Sequence, residues 1–178
     1  AERPDLSKIK LLRKMDRFEG HILAIDCSTR TLKRASNWGI YLLRVAFAVV
    51  KGRDVDWGYD ERISTAVGDA HIRYRFLGDA RVELESQMAL DTVRRRKIND
   101  GDYLLLDGPS YFGGTRKFRI SLYEKCKEEE VNLLAISKQS PSLHDEKGRD
   151  FMAAASMLSS FPLWVYHPVT TANTDEHL

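Results

Sequence analysis

The chain has 178 residues, of which 43% are hydrophobic and 30% charged, a profile that predicts one soluble globular domain and excludes wholesale disorder. Its 28 Lys and Arg residues nearly balance 26 Asp and Glu residues, so the net charge of +2 does not by itself indicate a nucleic-acid partner. The longest apolar stretch, residues 40–50, is too short for a transmembrane helix and contains Arg44. Two distant cysteines, Cys27 and Cys126, and a polar N-terminus favour a reducing, cytoplasmic location.

The first third of the chain predicts a short helix followed by an antiparallel meander. Apolar residues at helical spacing favour the helix, and apolar runs bounded by turn residues favour the strands. The apolar run that ends at Asp26 is typical of a buried strand that opens into a polar turn. The predicted elements are a helix over residues 6–15, strands over residues 21–26 and 38–50, a hairpin turn over residues 51–54 and a third strand from Val55.

The rest of the chain predicts helices that alternate with buried strands. A polar, mixed stretch over residues 61–75 precedes a helical pattern for which Asp79 is the expected N-cap. The further elements are a helix over residues 79–97, a strand over residues 102–107, a helix over residues 118–130, a strand over residues 131–138, a helix from Asp145 and a strand over residues 163–167. This order predicts an α/β fold of the ribonuclease H-like type, a mixed sheet of three antiparallel strands and then helix-strand repeats, with helices on both faces.

Two of the predicted strands end in aspartate. Asp26 and Asp107 each close an apolar run and are followed by small or polar residues. A carboxylate at such a position can simply cap the following turn. In open sheets, however, ligands collect beyond the strand ends, and two adjacent carboxylates there can hold a divalent cation. The matching contexts leave the two interpretations about even.

The helix between these strands offers a third carboxylate. Advancing about 100° per residue places Glu85 inside an apolar arc formed with Met88 and Ala89, whereas Glu83 falls at its polar margin. Glu85 is therefore the candidate third ligand, with Glu83 as the fallback. Three oxygen donors suit Mg²⁺ or Mn²⁺. Lys138 ends the next predicted strand, where it either holds a phosphate or is simply solvated.

The motifs together resemble the NurA nuclease family. The resemblance rests on residues 23–28, on the strand over residues 39–50 with Arg44 inside it, on the helix that bears Glu85, and on residues 104–108 and 135–138, and it extends through residues 164–168 to the C-terminus. It implies a ribonuclease H-like core, a manganese-dependent nuclease acting on DNA as an exonuclease or endonuclease, a homodimer, and a HerA-type hexameric ATPase as partner in processing DNA ends for repair.

The resemblance also assigns roles to residues. It implies that Asp26, Glu85 and Asp107 take the places of the metal-binding acids, with Lys138 beside them. The family usually has Asp-Gly-Ser where this chain has Asp26, Cys27 and Ser28, so a side chain must fit the expected tight turn. The family's later Tyr and His active-site residues have no counterpart here, which is typical of a short or truncated member.

The sequence divides into three segments. We expect an N-terminal helical segment over residues 1–20, a nuclease domain over residues 21–169 and a polar tail over residues 170–178.

One alternative function is a catalytically impaired, nuclease-like module that binds DNA and docks to a motor ATPase. A less favoured one is a phosphate-binding domain, because residues 24–29 resemble the first hairpin of sugar kinases and actin-like ATPases, which need a second domain.

Overall fold

The computed structural model describes residues 4–14, 17–107, 117–136 and 152–168. The chain divides into two compact units: a sheet unit over residues 18–138 and a ribbon unit formed by residues 1–17 and 139–178. In chain order the elements are a 3-10 turn (Leu6–Lys8), β1 (Ile9–Leu11), β2 (His21–Arg34), β3 (Trp38–Lys51), β4 (Asp54–Val67), α1 (Ala70–Arg96), β5 (Tyr103–Asp107), α2 (Lys117–Glu128), β6 (Asn132–Ile136), α3 (Met152–Leu158) and β7 (Trp164–Tyr166).

The sheet unit contains a five-stranded mixed sheet in the order β4-β3-β2-β5-β6. Strands β2, β3 and β4 form an antiparallel meander, whereas β5 runs parallel to β2 and β6 runs parallel to β5. The predicted mixed α/β sheet is therefore confirmed. Each parallel pair is joined through a helix, as the crossover geometry of parallel strands requires.

The core of this unit lies between the sheet and its helices. Buried side chains of β2 and β5, among them Leu23, Ile25 and Leu104, belong to one cluster with Ala89 of α1 and Leu122 of α2. Both helices thus pack on the same side of the sheet, here called the helix face, although covered faces on both sides were expected. The opposite side is here called the outer face.

The outer face is largely apolar and accessible. Its partly or fully exposed side chains alternate along the strands with the buried ones of the helix face, as the two-residue period of a strand dictates. They include Ala24 and Asp26 on β2, Trp57 and Tyr59 on β4, and Leu134 and Ile136 on β6.

The long strands of the meander differ from their predicted bounds. The turn expected after Asp26 is wrong, because β2 continues through Cys27 to Arg34 and stays paired with β3 as far as Arg34 opposite Gly39. Cys27 is buried in extended backbone, so the departure from Asp-Gly-Ser needs no tight turn. Likewise β4 continues to Val67, where a polar irregular stretch was expected.

Helix α1 begins earlier than the sequence indicated. The expected N-cap, Asp79, is wrong; the cap is Asp69, whose carboxylate accepts a hydrogen bond from the Ile72 N–H at 2.9 Å. The helix ends at Arg96, and its C-cap Lys97 has a positive φ of 52°. It has 27 residues, whereas the periodicity predicted a helix over residues 79–97 only.

The ribbon unit replaces the expected N-terminal helix. The prediction of a helix over residues 6–15 is wrong, because β1 pairs antiparallel with β7, with Ile9 opposite Tyr166. Ala155 of α3 and Tyr166 form a small core with Ile9 and Trp164. The sequence could not show this pairing, since β1 and β7 lie at opposite ends of the chain. The expected helix start at Asp145 lies outside the described residues.

None of the helices in the described ranges is long and apolar enough to cross a membrane.

Candidate functional site

Asp26 lies on the outer face, at the edge of a broad depression in the sheet. Its side chain is exposed, while Ile25 and Cys27 on either side of it point into the core. The depression has a volume of about 500 Å³. Its lining comes from all five strands: Ala24, Ile25 and Asp26, then Ala46, Phe47 and Ala48, then Trp57, then Leu105 and Leu106, and finally Ile136. A carboxylate thus borders a mainly apolar hollow of nucleotide-like size.

Asp107 occupies the neighbouring strand position. Ile25 on β2 is the register partner of Leu106 on β5, so positions 26 and 107 are the next along these two parallel strands and share the same phase of the pleat. Asp107 is also the partner of Ile136 on β6. For Asp107 the structure describes this backbone position. The two aspartates identified from the sequence therefore lie side by side in the sheet.

Glu85 lies on the other side of β2. It is 2% exposed, as its place in the predicted apolar arc indicated. Its Oε1 is 3.9 Å from Nη2 of Arg81, one helical turn earlier. Glu83, the fallback candidate, is only partly buried and accepts a hydrogen bond from Gln87 Nε2 at 3.3 Å.

The thiol of Cys27 faces the same interior cluster. Burial raises its pKa to about 11, and the nearby Glu85 carboxylate adds to the increase, whereas Arg81 opposes it through its charge and a hydrogen bond. The thiol is therefore protonated at neutral pH and is not a nucleophile. The buried Cys27 and Glu85, with the half-exposed Arg81 beside them, form a polar cluster on the face of β2 opposite to the one that presents Asp26.

In the described residues, two of the three acids proposed from the sequence occupy neighbouring positions. Positions 26 and 107 adjoin, but Glu85 is on the helix face. Within the ranges that the structure describes, no three His, Cys, Asp or Glu side chains are placed to hold one metal ion. Lys138 lies outside the described residues. The donor chemistry of the paired aspartates suits Mg²⁺ or Mn²⁺, which prefer carboxylate oxygens and retain water ligands.

Two interactions in this unit were missed from the sequence. Arg81 stands four residues before Glu85, a spacing that places both on one side of a helix and could have revealed the pair. The second is Asp102, which accepts a hydrogen bond from the His21 N–H at 2.6 Å and lies 3.1 Å from His21 Nδ1. No short spacing signals this contact, because 81 residues separate its partners.

Solved structures of NurA nucleases are similar to this chain. The NurA nuclease from Sulfolobus solfataricus matches with a TM-score of 0.60 and 16% identity, over 86% of this chain and 58% of that one. A structure of NurA with manganese matches with a TM-score of 0.46 and 18% identity, over 64% of this chain and 25% of that one. NurA bound to dAMP and manganese matches with a TM-score of 0.44 and 19% identity, over 59% and 22% of the two chains.

The fold of this chain is therefore NurA-like, as the motifs indicated. The chain spans between about a quarter and somewhat more than half of the length of these structures. No protein-family model matches the sequence, and neither does any curated protein.

Proposed function

We propose that the chain is a metal-dependent DNA nuclease that uses Mn²⁺ or Mg²⁺ to hydrolyse phosphodiester bonds. The observation that carries the proposal is the placement of Asp26 and Asp107 at adjoining positions of two parallel strands, beside an accessible depression of about 500 Å³. The NurA-like fold supports it. Structural neighbours with a NurA fold include one with manganese bound, which agrees with the carboxylate donors found here.

The sequence proposes Asp26, Glu85 and Asp107 as the metal-binding acids and Lys138 as the group that contacts a phosphate. Asp26 and Asp107 are the pair on which this proposal rests, and Glu85, which lies on the helix face, is tested below as a separate member. A divalent ion held there would lower the pKa of a bound water and neutralise charge on the leaving oxygen. Asp26 is accessible from the outer face, so it can hold such an ion without first being uncovered. The small side chains of Ala24, Ala46 and Ala48 leave room for a nucleotide beside it.

The proposal extends to the biological context that the resemblance implies. The substrate is DNA with a free end, the partner is a HerA-type hexameric ATPase, and the working form is a homodimer. What supports these assignments is the NurA-like fold, which matches 58% of a solved NurA nuclease.

End-labelled single- and double-stranded DNA tests the proposed activity directly. We expect cleavage with Mn²⁺ or Mg²⁺ and none with EDTA. Asp26→Asn and Asp107→Asn should each lower the cleavage rate about 100-fold or more, since metal-based stabilisation of the transition state is worth several kcal/mol. Each variant keeps its side-chain volume, so circular dichroism and thermal unfolding should stay close to those of the parent.

Asp91→Asn provides the matched control. Asp91 lies on α1, and its exposed carboxylate is 3.8 Å from Arg95 Nη2, so the variant removes one negative charge from the same unit away from the depression. Its cleavage rate should equal that of the parent.

If Asp26→Asn and Asp107→Asn also cut DNA at the rate of the parent, the assigned site is wrong. Glu85→Gln, measured in the same series, tests whether the acid on the helix face belongs to the set.

A second candidate function is a DNA-binding module without catalysis. The separation of Glu85 from Asp26 on opposite sides of β2 favours it, because three converging carboxylates are then not available from the described side chains. DNA binding without cleavage in the same assay would support this module and contradict the nuclease.

A further inference from the structure

Strand β4 forms one edge of the five-stranded sheet. Among the strands that the structure describes it pairs with β3 alone, and this pairing runs without a register shift from Lys51 opposite Asp54 to Trp38 opposite Val67. The strand has 14 residues and contains no proline. Natural edge strands are usually protected by short length, bulges, proline or charged side chains, because a regular edge invites another strand to pair with it. Of these protections β4 has the charged side chains alone, among them Asp60, Glu61 and Arg62.

The outer face of this edge strand carries a row of exposed apolar side chains. Trp57 is 68% exposed and Ile63 is 66% exposed. They alternate with polar residues, so the row lies on one face of the strand. Its members are Val55, Trp57, Tyr59, Ile63 and Val67. An exposed apolar row of this kind, interrupted by Glu61 and Thr65, marks an interaction surface.

The sequence of β4 is complementary to itself in one antiparallel register. When two copies are centred on Glu61, Asp60 lies opposite the partner's Arg62, and Arg62 lies opposite the partner's Asp60. Opposite charges at directly facing positions stabilise an antiparallel pair. All four of these side chains are exposed in the single chain, so they are available for the contact.

The same register joins the apolar rows of the two copies. Tyr59 lies opposite the partner's Ile63, and Val55 lies opposite the partner's Val67, each twice by symmetry. Aromatic and β-branched residues at facing positions are favourable cross-strand neighbours. The apolar row of one chain therefore continues into that of the other across the edge.

The two glutamates at the centre are each neutralised within their own chain. Nη2 of Arg44 is 2.5 Å from Glu61 Oε1, and Nε donates to the same oxygen at 2.7 Å. The Arg44 guanidinium also lies 5.0 Å from the centre of the Tyr59 ring. This arrangement offsets the repulsion between Glu61 and the partner's Glu61.

Neighbouring registers lack this complementarity. A pairing centred on Asp60 sets two aspartates against each other, and one centred on Arg62 sets two arginines against each other. A centre that lies between two residues sets a residue of one face against a residue of the other face, so such a register cannot have the two-fold symmetry of a pair of identical chains. Like charges at facing positions destabilise a strand pair, so the register centred on Glu61 is the one that the charges select.

We propose that a second copy of this chain pairs with β4 edge to edge in the register centred on Glu61, which joins the two sheets into one of ten strands. The contact is isologous, so a two-fold axis passes through the facing Glu61 residues. This inference rests on the homodimer proposed above and specifies the surface that forms it.

Charge exchange along β4 tests the interface in the full chain. Sedimentation velocity over a range of protein concentrations should show a dimer for the parent. Asp60→Arg and Arg62→Asp should each raise the dimer dissociation constant about tenfold or more, because each replaces two attractive cross-strand contacts by repulsive ones. The double variant Asp60→Arg/Arg62→Asp restores opposite charges and should dimerise like the parent. Single variants that dimerise as tightly as the parent would overturn the proposal.

Oxidative crosslinking gives a second measurement that does not depend on weakened association. Directly facing Cα atoms in an antiparallel pair lie about 4.5–5.5 Å apart, within reach of a disulfide. Glu61→Cys should therefore crosslink to itself across the two-fold axis, whereas Trp57→Cys, which faces the partner's Thr65, should not. The native Cys27 and Cys126 are both buried and do not compete. Equal crosslinking of the two variants would contradict this register.

The same preparations separate this inference from the nuclease proposal. Asp26→Asn should still sediment as a dimer while it loses cleavage. A parent chain that cuts DNA but stays monomeric at every concentration would overturn the homodimer and the β4 interface together, and it would leave the nuclease assignment standing.

Discussion

Asp102 is 4% exposed, and its carboxylate accepts hydrogen bonds from the backbone N–H groups of His21 at 2.6 Å and Asn99 at 3.1 Å. It also lies 3.1 Å from His21 Nδ1. One buried side chain thus connects the start of β2 with the loop that follows α1. The backbone of Asp102 extends the network, since its carbonyl accepts from the Asn132 N–H at 2.8 Å at the start of β6.

Asp102→Ala should lower the free energy of unfolding by about 3 kcal/mol, because it removes the carboxylate acceptor of two part-buried backbone hydrogen bonds, and a hydrogen bond to a charged group contributes about 1.5–3 kcal/mol. Urea denaturation followed by circular dichroism measures the change. Asp100→Ala, two residues earlier and exposed, is the matched control and should change stability by less than about 0.5 kcal/mol. Equal losses for both variants would show that the network around Asp102 contributes little.

The burial of Glu85 could be predicted from the sequence, whereas the face of β2 on which Asp26 lies could not. Helical periodicity identified Glu85 rather than Glu83 as the buried acid, and the structure bears this out, because a helix face is fixed by spacing along one element. The face on which Asp26 lies could not be predicted in the same way. The run from Ile22 to Ile25 is apolar at every position, so it carries no alternation that would tell the two faces of β2 apart.

At the scale of elements, the sequence predicted the bounds of helices and strands well where one side of the element is buried, and poorly where no side is buried. The second half of α1 was recognised because the apolar residues Met88, Ala89 and Val93 recur on one side of it, and Ala89 and Val93 are buried in the structure. In its first half Arg73 is the one buried residue among those described, so no apolar period marks the helix before Asp79. The same applies to β2 beyond Cys27, where backbone pairing with β3 maintains the strand without a buried side.

Gly78 lies within α1, and a Cβ atom built at this position has no neighbour within 4 Å. Gly78→Ala should therefore raise the free energy of unfolding by about 0.5–1 kcal/mol, because alanine loses less backbone entropy in a helix. Urea denaturation of the variant measures this gain.

Gly68→Ala is the contrasting variant for this test. Gly68 has a φ of 125°, and a Cβ there would lie 2.8 Å from Cγ2 of Ile72, so alanine is strained before the helix begins. Its stability should fall by about 1 kcal/mol or more. A loss for Gly78→Ala comparable to that of Gly68→Ala would mean that the middle of α1 is not a regular, unstrained helix.

At the scale of the whole molecule, the chain holds two separate cores. The larger cluster runs from Leu23 to Val131 and lies entirely within residues 18–138. The smaller one joins Ala155 and Tyr166 with Ile9 and Trp164, all of the ribbon unit. The sequence could not reveal this division, because the ribbon unit combines segments from both ends of the chain through the pairing of β1 with β7.

A fragment of residues 18–138 should therefore fold by itself. It keeps all five strands of the mixed sheet, both helices of that unit and every member of the larger buried cluster. We expect a single cooperative unfolding transition in urea, with circular dichroism and tryptophan fluorescence changing together. A fragment of residues 18–128 is the matched control. It omits Val131 and β6, leaves the β5 edge unpaired, and should unfold without a cooperative transition. Non-cooperative unfolding of the longer fragment would show that the sheet unit needs the ribbon unit in order to fold.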